Sequence, residues 1–212
     1  MALRIVRWLG IAALLISYPL LAHYTSESAH HGNLGALVAM GPVVLLALVF
    51  AWRSPQRPLM LGALALLCVA LWAEWPALTQ HFGLVYWLQH MGMQLILFMT
   101  FARTLIAGRQ PLCTHFAEVI HAPLTPQQEI YTRQVTVAWS VFFAAMALVS
   151  TALFFLTPLS TWSVFANFMT LPLVALMFIA EYGVRRLVLP NMQHVHILDA
   201  VRAFRNTPAR PR

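Results

Sequence analysis

Apolar residues run through this chain in blocks of near twenty, broken by short polar stretches. The alternating rhythm of half-buried strands and the one-sided rhythm of soluble helices are both missing from those blocks. A helix needs about 20 apolar residues to cross about 30 Å of hydrocarbon. The pattern predicts six such spans, at about 5–24, 34–52, 58–75, 84–102, 134–157 and 162–181. The expected fold class is all-α: a polytopic helical membrane protein forming one transmembrane bundle over 1–186, with a polar loop at 103–133 and a basic tail at 187–212. A transmembrane barrel would need alternating strands of about ten residues, and the sequence has no such run.

Punctuation sets the limits. Arg4 and Arg7 precede WLGIAALLISYPLLAHY, a stretch with the outline of a signal peptide and small residues at Ala22 and Ala29. Its length and the bracketing Trp8 and Tyr24 favour an uncleaved first span, kinked by Pro19. Pro42 falls within the second span, which closes at Trp52 before Arg53 and Arg57. Glu74-Trp75-Pro76 reads as a helix stop, followed by a tight loop ALTQHFG. Thr157-Pro158 ends the fifth span, and PLST is the shortest connection. The tail ending in TPARPR is expected to be disordered. Pro42 and Pro172 have no counterparts in the spans that a 3+3 inverted repeat would pair, which weakens a carrier built on such a repeat.

Composition agrees with the pattern: 60% of positions are hydrophobic and 9% charged, against about 25% charged in soluble domains. The net charge of +7 rests on thirteen arginines and no lysine. Because the arginines flank spans, membrane lipids with anionic headgroups are the expected partners, and nucleic acid is not. With the N-terminus inside, all thirteen fall on inner segments and none on outer loops. By the positive-inside rule both termini are then cytoplasmic. Cys68 lies in a span and Cys113 in the central loop, so both are expected as free thiols.

Three constellations could carry chemistry. LCTHFAEVIHA, from Leu112 to Ala122, has a helical pattern that puts His115, Glu118 and His121 on one side. They are candidates for an acid/base or metal face, although an interfacial helix with its polar side in water is the favoured reading. Arg103, Arg109, Arg133, Glu181, Arg185 and Arg186 form an inner-face ring able to bind an anionic headgroup, a phosphopantetheine arm or an acyl carboxylate. Arg133 and Glu181 lie nearest the apolar spans. Matching depths then group Gln89, His90, Gln94, Asn167 and Thr170 with Ser17, Tyr18, Ser150 and Thr151 in an intramembrane polar layer. That layer either lines a cavity open to the outside or joins helices by hydrogen bonds of about 0.6 kcal/mol each, and the second is favoured. His23, His30 and His31 are too loosely set to hold a metal, and no nucleotide, haem or nucleophile-elbow motif occurs. No metal and no cofactor is expected.

PLCTHFAEVIHAPLTPQQEIYTRQVTVAWSVFF, then WSVFANF, then PLVALMFIAEYGVRR resemble a family of small bacterial inner-membrane proteins from aryl-polyene and xanthomonadin-type pigment gene clusters. The resemblance covers roughly 108–186 and falls on Tyr131, Thr132, Arg133, Thr136, Trp139, Trp162, Phe165, Asn167, Glu181, Tyr182 and Arg185. Members are often labelled ketosynthases, yet that chemistry needs a soluble α/β fold that six spans and one loop do not supply. The resemblance implies a bacterial inner-membrane, multi-pass location and a polyene or lipid product built on acyl carrier protein. The expectation is an accessory protein in assembly, handling or export of an aryl-polyene-type lipid or pigment. Its arginine face would receive the acidic carrier or another pathway protein. Two other classes stay open: a membrane-embedded acyl- or lipid-transferring enzyme using His115, Glu118 or His121, and a small-solute carrier using the layer around His90.

Overall fold

The computed structural model describes residues 17–26, 32–121 and 123–189, the side chains of Ile120 and His121 excepted. Arg4, Arg7, His30, His31 and the basic tail beyond 189 lie outside the described residues, as does most of the first expected span. Among the described residues every regular element is helical and none is a strand. Residues 17–26 form α1. Then come α2 (Gly32–Arg53), α3 (Arg57–Ala73), α4 (Trp75–Ala102), a 3₁₀ turn (Arg103–Leu105) and α5 (Leu112–His121). The chain continues with α6 (Pro126–Leu156), α7 (Leu159–Val164), a π turn (Phe165–Met169) and α8 (Thr170–Val188).

Four segments are long and apolar enough to cross a membrane: Gly32–Arg53, Trp75–Leu105, Pro126–Leu156 and Leu159–Val188, while α3 is apolar but shorter at 17 residues. Large apolar side chains such as Phe50, Trp72, Leu156 and Leu187 point outward rather than into a core. A soluble protein avoids that arrangement, whereas lipid tails are as apolar as leucine and impose no penalty. The chain is therefore a membrane-associated helical protein.

It divides into two compact units. The first comprises the described residues up to 91 together with 149–171, and small residues let its helices approach. Gly35, Ala36 and Ala39 of α2 are buried, and a Cβ on Gly35 would sit 2.7 Å from the Phe82 ring. Phe82, Tyr86 and Trp162 fill the core with Ala22, Ala36 and Ala39. Polar groups between these helices are paired as well. Gln89 donates to the Ala39 carbonyl at 2.6 Å, one residue from the Val38 carbonyl that Pro42 deprives of its helical donor. The Thr25 hydroxyl donates to the Ala22 carbonyl at 3.1 Å and accepts from Tyr86, 3.2 Å away.

The second unit comprises 92–148 and the described residues from 172 to 189. Trp139 is its buried centre, its ring centroid 4.6 Å from that of Phe178 and 5.5 Å from that of Phe143. Helix α5 is strapped to α6 by three threonines. Thr136 accepts the Cys113 amide at 3.2 Å, and the Thr114 and Thr132 hydroxyls lie 2.8 Å apart. Gly108, at φ 83°, makes the left-handed turn leading into α5.

The element limits differ from the expected ones in three places. Helix α3 does stop at Ala73, with Glu74 as its C-cap, but Trp75-Pro76 also starts α4 with no loop between them, because proline fits the first turn, where its missing N–H would be unsatisfied anyway. ALTQHFG is accordingly helical, with only His81 bent out of helical geometry at φ −119°, ψ 21°. Helix α6 begins inside the expected central loop. Thr125 and Gln128 form its capping box: the Thr125 amide donates to Gln128 Oε1 at 2.9 Å and the Gln128 amide to Thr125 Oγ1 at 3.4 Å. The sixth apolar block is interrupted by the π turn, across which the Thr170 amide reaches the Phe165 carbonyl. Two residues on, Pro172 withdraws the amide that would otherwise cap the Phe168 carbonyl.

Candidate functional site

In the second unit, α5, α6 and α8 enclose a cleft of about 210 Å³. Phe116, Val135, Trp139 and Phe178 form its apolar part, and Cys113, Thr132, Tyr131, Glu181 and Arg185 its polar part. A second cleft of about 220 Å³ shares Tyr131, Val135 and Glu181 and continues along Ala138, Met177 and Val184. Tyr131 and Glu181 thus form the partition between two apolar grooves.

That partition is held by hydrogen bonds and charge. The Tyr131 hydroxyl donates to Glu181, lying 3.2 Å from its carbonyl and 3.3 Å from Oε1. Arg185, one turn on, pairs with Glu181 Oε2 at 3.5 Å, the favourable acid-first order on a helix. The Arg185 and Arg186 guanidiniums also lie 5.6 Å and 5.9 Å from the Tyr182 ring centroid. Burial pushes the Cys113 thiol above its usual range and the Glu181 charge adds to that, while the Thr136 hydrogen bond opposes it. A thiol so placed is a poor nucleophile at neutral pH. Maleimide should therefore label Cys113 more slowly than a free thiol at about pH 8, and removing the negative charge in Glu181→Gln should speed it. Unchanged labelling in Glu181→Gln, read by mass spectrometry, would sever that electrostatic link.

Other inner-ring positions stand apart. Arg103 and Arg109 are exposed, and Arg133 reaches the Leu105 carbonyl at 3.4 Å beside a third cleft lined by Gln110, Thr114 and Glu129. On α5, His115 is exposed and Glu118 half-buried, while the His121 side chain lies outside the described residues. No group of three His, Cys, Asp or Glu able to hold a metal occurs among the described residues.

The first unit holds part of the expected polar layer. His90 on α4 has Ser150 Oγ of α6 at 2.9 Å from Nδ1 and Thr170 Oγ1 of α8 at 3.1 Å from Nε2. Trp162 Nε1 donates to Ser150 Oγ at 3.0 Å. Asn167, inside the π turn, instead donates to the Ser163 carbonyl and hydroxyl, both at 3.0 Å. Gln89 turns to α2, and Gln94 is buried in the second unit. Depth matching in the sequence places His90, Ser150 and Thr170 together. It gives no sign of Trp162, nor of Cys113, Phe116 and Phe178 in the cleft. The aromatic and small positions of α5 and α8 repeat at helical spacing, a signal too common among packed helices to single them out.

Fold and sites together define a helical membrane-associated protein with an amphipathic cleft in one unit and a hydrogen-bonded polar cluster in the other. Compared with known proteins, the chain matches no family model, no curated protein and no solved structure.

Proposed function

We propose that this is a six-span protein of the bacterial inner membrane, with both termini cytoplasmic, that binds a chain-like amphiphile while it is assembled or passed on. It acts as an accessory protein rather than an enzyme. The observation that carries this reading is the cleft pair around Tyr131 and Glu181, lined by aromatic and aliphatic side chains together with charged and hydroxyl-bearing ones. A polar head is satisfied at Arg185 and Tyr131, and an apolar chain lies against Trp139 and Phe178. The resemblance to pigment-cluster proteins supplies the class of cargo, an aryl-polyene-type lipid or pigment. Tyr131, Thr132, Trp139, Glu181 and Arg185, five of the positions that carry it, line the cleft. Six spans and cytoplasmic termini are supported by the one-sided distribution of arginine that this arrangement gives. The exposed Arg103, Arg109, Arg133 and Arg186 suit an acidic acyl carrier protein or a pathway partner at the cytoplasmic face.

The test is lipid and pigment extraction from a deletion strain, with inner and outer membranes separated. Complements carrying Arg185→Ala and Glu181→Gln are run beside it. Product that is made but stranded in the inner membrane is the expected result, with the cleft variants reproducing it. Loss of product with a carrier-bound intermediate accumulating would show a chemical step instead, and an unchanged profile would sink the reading.

A further inference from the structure

The hydrogen bonds that His90 makes with Ser150 and Thr170 run in one direction, and that direction fixes where their protons are. Thr170 has one hydroxyl proton and gives it to the Phe165 carbonyl at 3.1 Å. Its oxygen must therefore receive the Nε2–H of His90. In a neutral imidazole the other nitrogen accepts, and Ser150 supplies the proton to Nδ1. Trp162, which can only donate, occupies a lone pair of the same Ser150 oxygen. Trp162, Ser150, His90, Thr170 and the Phe165 carbonyl thus form one directed line, with His90 as the Nε2–H tautomer.

We propose that His90 is a proton-binding site within the membrane-crossing part of the chain, loaded at Nδ1. A hydronium gives its proton to the Nδ1 lone pair, a new N–H bond forms, water leaves, and the ring becomes an imidazolium. The Ser150 hydroxyl then turns its own proton to the backbone carbonyl one turn back on α6. Thr136 and Ser140 already use that arrangement on the same helix, at 2.9 and 2.8 Å, and Thr157 does so just past its end, at 2.6 Å. The Ser150 oxygen, with two lone pairs, now accepts from both Trp162 and His90. Each member keeps a partner in both states, so the exchange needs a hydroxyl rotation and no rupture of packing.

The surroundings make the added charge consequential. Between 134 and 180, covering most of α6, all of α7, the π turn and the first half of α8, the sequence has no acid, arginine or histidine. On α4 the only ionisable side chains besides His90 are His81 and Tyr86. Tyr86 is engaged by Thr25 of α1, and His23 of α1 lies 3.3 Å from Ser163 Oγ and against Phe168. Trp162 and Phe165 meet the His90 ring nearly edge to face. An ionisable residue at such depth, facing other helices, is the usual mark of a proton or substrate path. This site stands apart from the lipid-handling reading and does not depend on it.

Protein labelled with ¹⁵N-histidine and ¹⁵N-tryptophan, in lipid nanodiscs, is titrated from about pH 8 to about pH 5 by NMR. His90 is assigned as the ring whose signals move in Thr170→Val, where loss of the Nε2–H acceptor shifts population toward the Nδ1–H form. Expected at high pH is an Nε2–H tautomer. On acidification both nitrogens convert to imidazolium, and the Trp162 indole N–H shifts with the same midpoint. That coupled shift should vanish in His90→Gln. A ring that starts as the Nδ1–H tautomer, or that stays neutral while the other histidines titrate, would overturn the proposal.

Discussion

Trp139→Ala is expected to destabilise the protein by about 3–5 kcal/mol, the range for removing a large buried aromatic. Only 5% of Trp139 is exposed. Its ring lies 4.6 Å from Phe178, 5.5 Å from Phe143, 5.7 Å from Phe142 and 6.1 Å from Phe101, so α4, α6 and α8 all lose contacts within the second unit. In a lipid environment the loss is chiefly of packing, since the hydrocarbon outside is no worse a solvent than the interior. Thermal unfolding in detergent or nanodiscs reads the effect, with Trp139→Phe retaining most of the stability. The same truncation removes one apolar wall of the amphipathic cleft, so under the proposed function product should be stranded in the inner membrane even where folded protein is recovered. A change within about 0.5 kcal/mol, the scale of an inconsequential surface substitution, would mean the aromatic cluster does not hold these helices.

Gly35→Val is expected to cost about 1–3 kcal/mol, the usual penalty for overfilling a packed site. A Cβ at Gly35 would stand 2.7–3.0 Å from three atoms of the Phe82 ring. That ring cannot simply step aside. It is buried and set edge-on to Tyr86 at 6.0 Å, and Tyr86 is tied to Thr25. Helix α2 must therefore move off α4, which also stretches the 2.6 Å bond from Gln89 to the Ala39 carbonyl. Gly41, on the same helix with nothing within 4 Å of its Cβ position, is the control. Gly41→Ala should be neutral or stabilising by about 0.5–1 kcal/mol. Equal melting temperatures for Gly35→Val and wild type would dismiss close approach as the basis of this packing.

The helical class and the apolar blocks were legible in the sequence because length and hydropathy are local properties. Helix α5 was legible as well, from the spacing of Leu112, Phe116, Val119 and Ile120. The start of α6 could have been read too, since Thr125-Pro-Gln-Gln128 spells a capping box with proline at the first helical position. Trp75-Pro76 was ambiguous in principle. Proline both ends one helix and begins the next, and only the neighbouring geometry decides. The π turn was invisible, because a shift of the backbone ladder by one residue leaves no compositional mark. For the sites, depth matching placed His90, Ser150 and Thr170 at one level, but the orientation of each helix about its axis decides which of them meet. The cleft depended on that rotation even more. Glu181 and Arg185 stood out as charges in an apolar chain, whereas Phe116 and Phe178 resemble any other packing residue.

The π turn has a consequence for how the last helical segment can be altered. One α-helical residue turns the chain by about 100°, and a π turn is in effect one residue accommodated without lengthening the ladder. Between Trp162 and Thr170 it therefore works as a phase shifter. It sets the angular offset that aims both side chains at the His90 assembly from opposite ends of one hydrogen-bonded line. A single-residue deletion within 165–169 would relax the segment to regular α geometry at little local cost. It would also leave Thr170 and Trp162 out of step with each other, dividing the line in two.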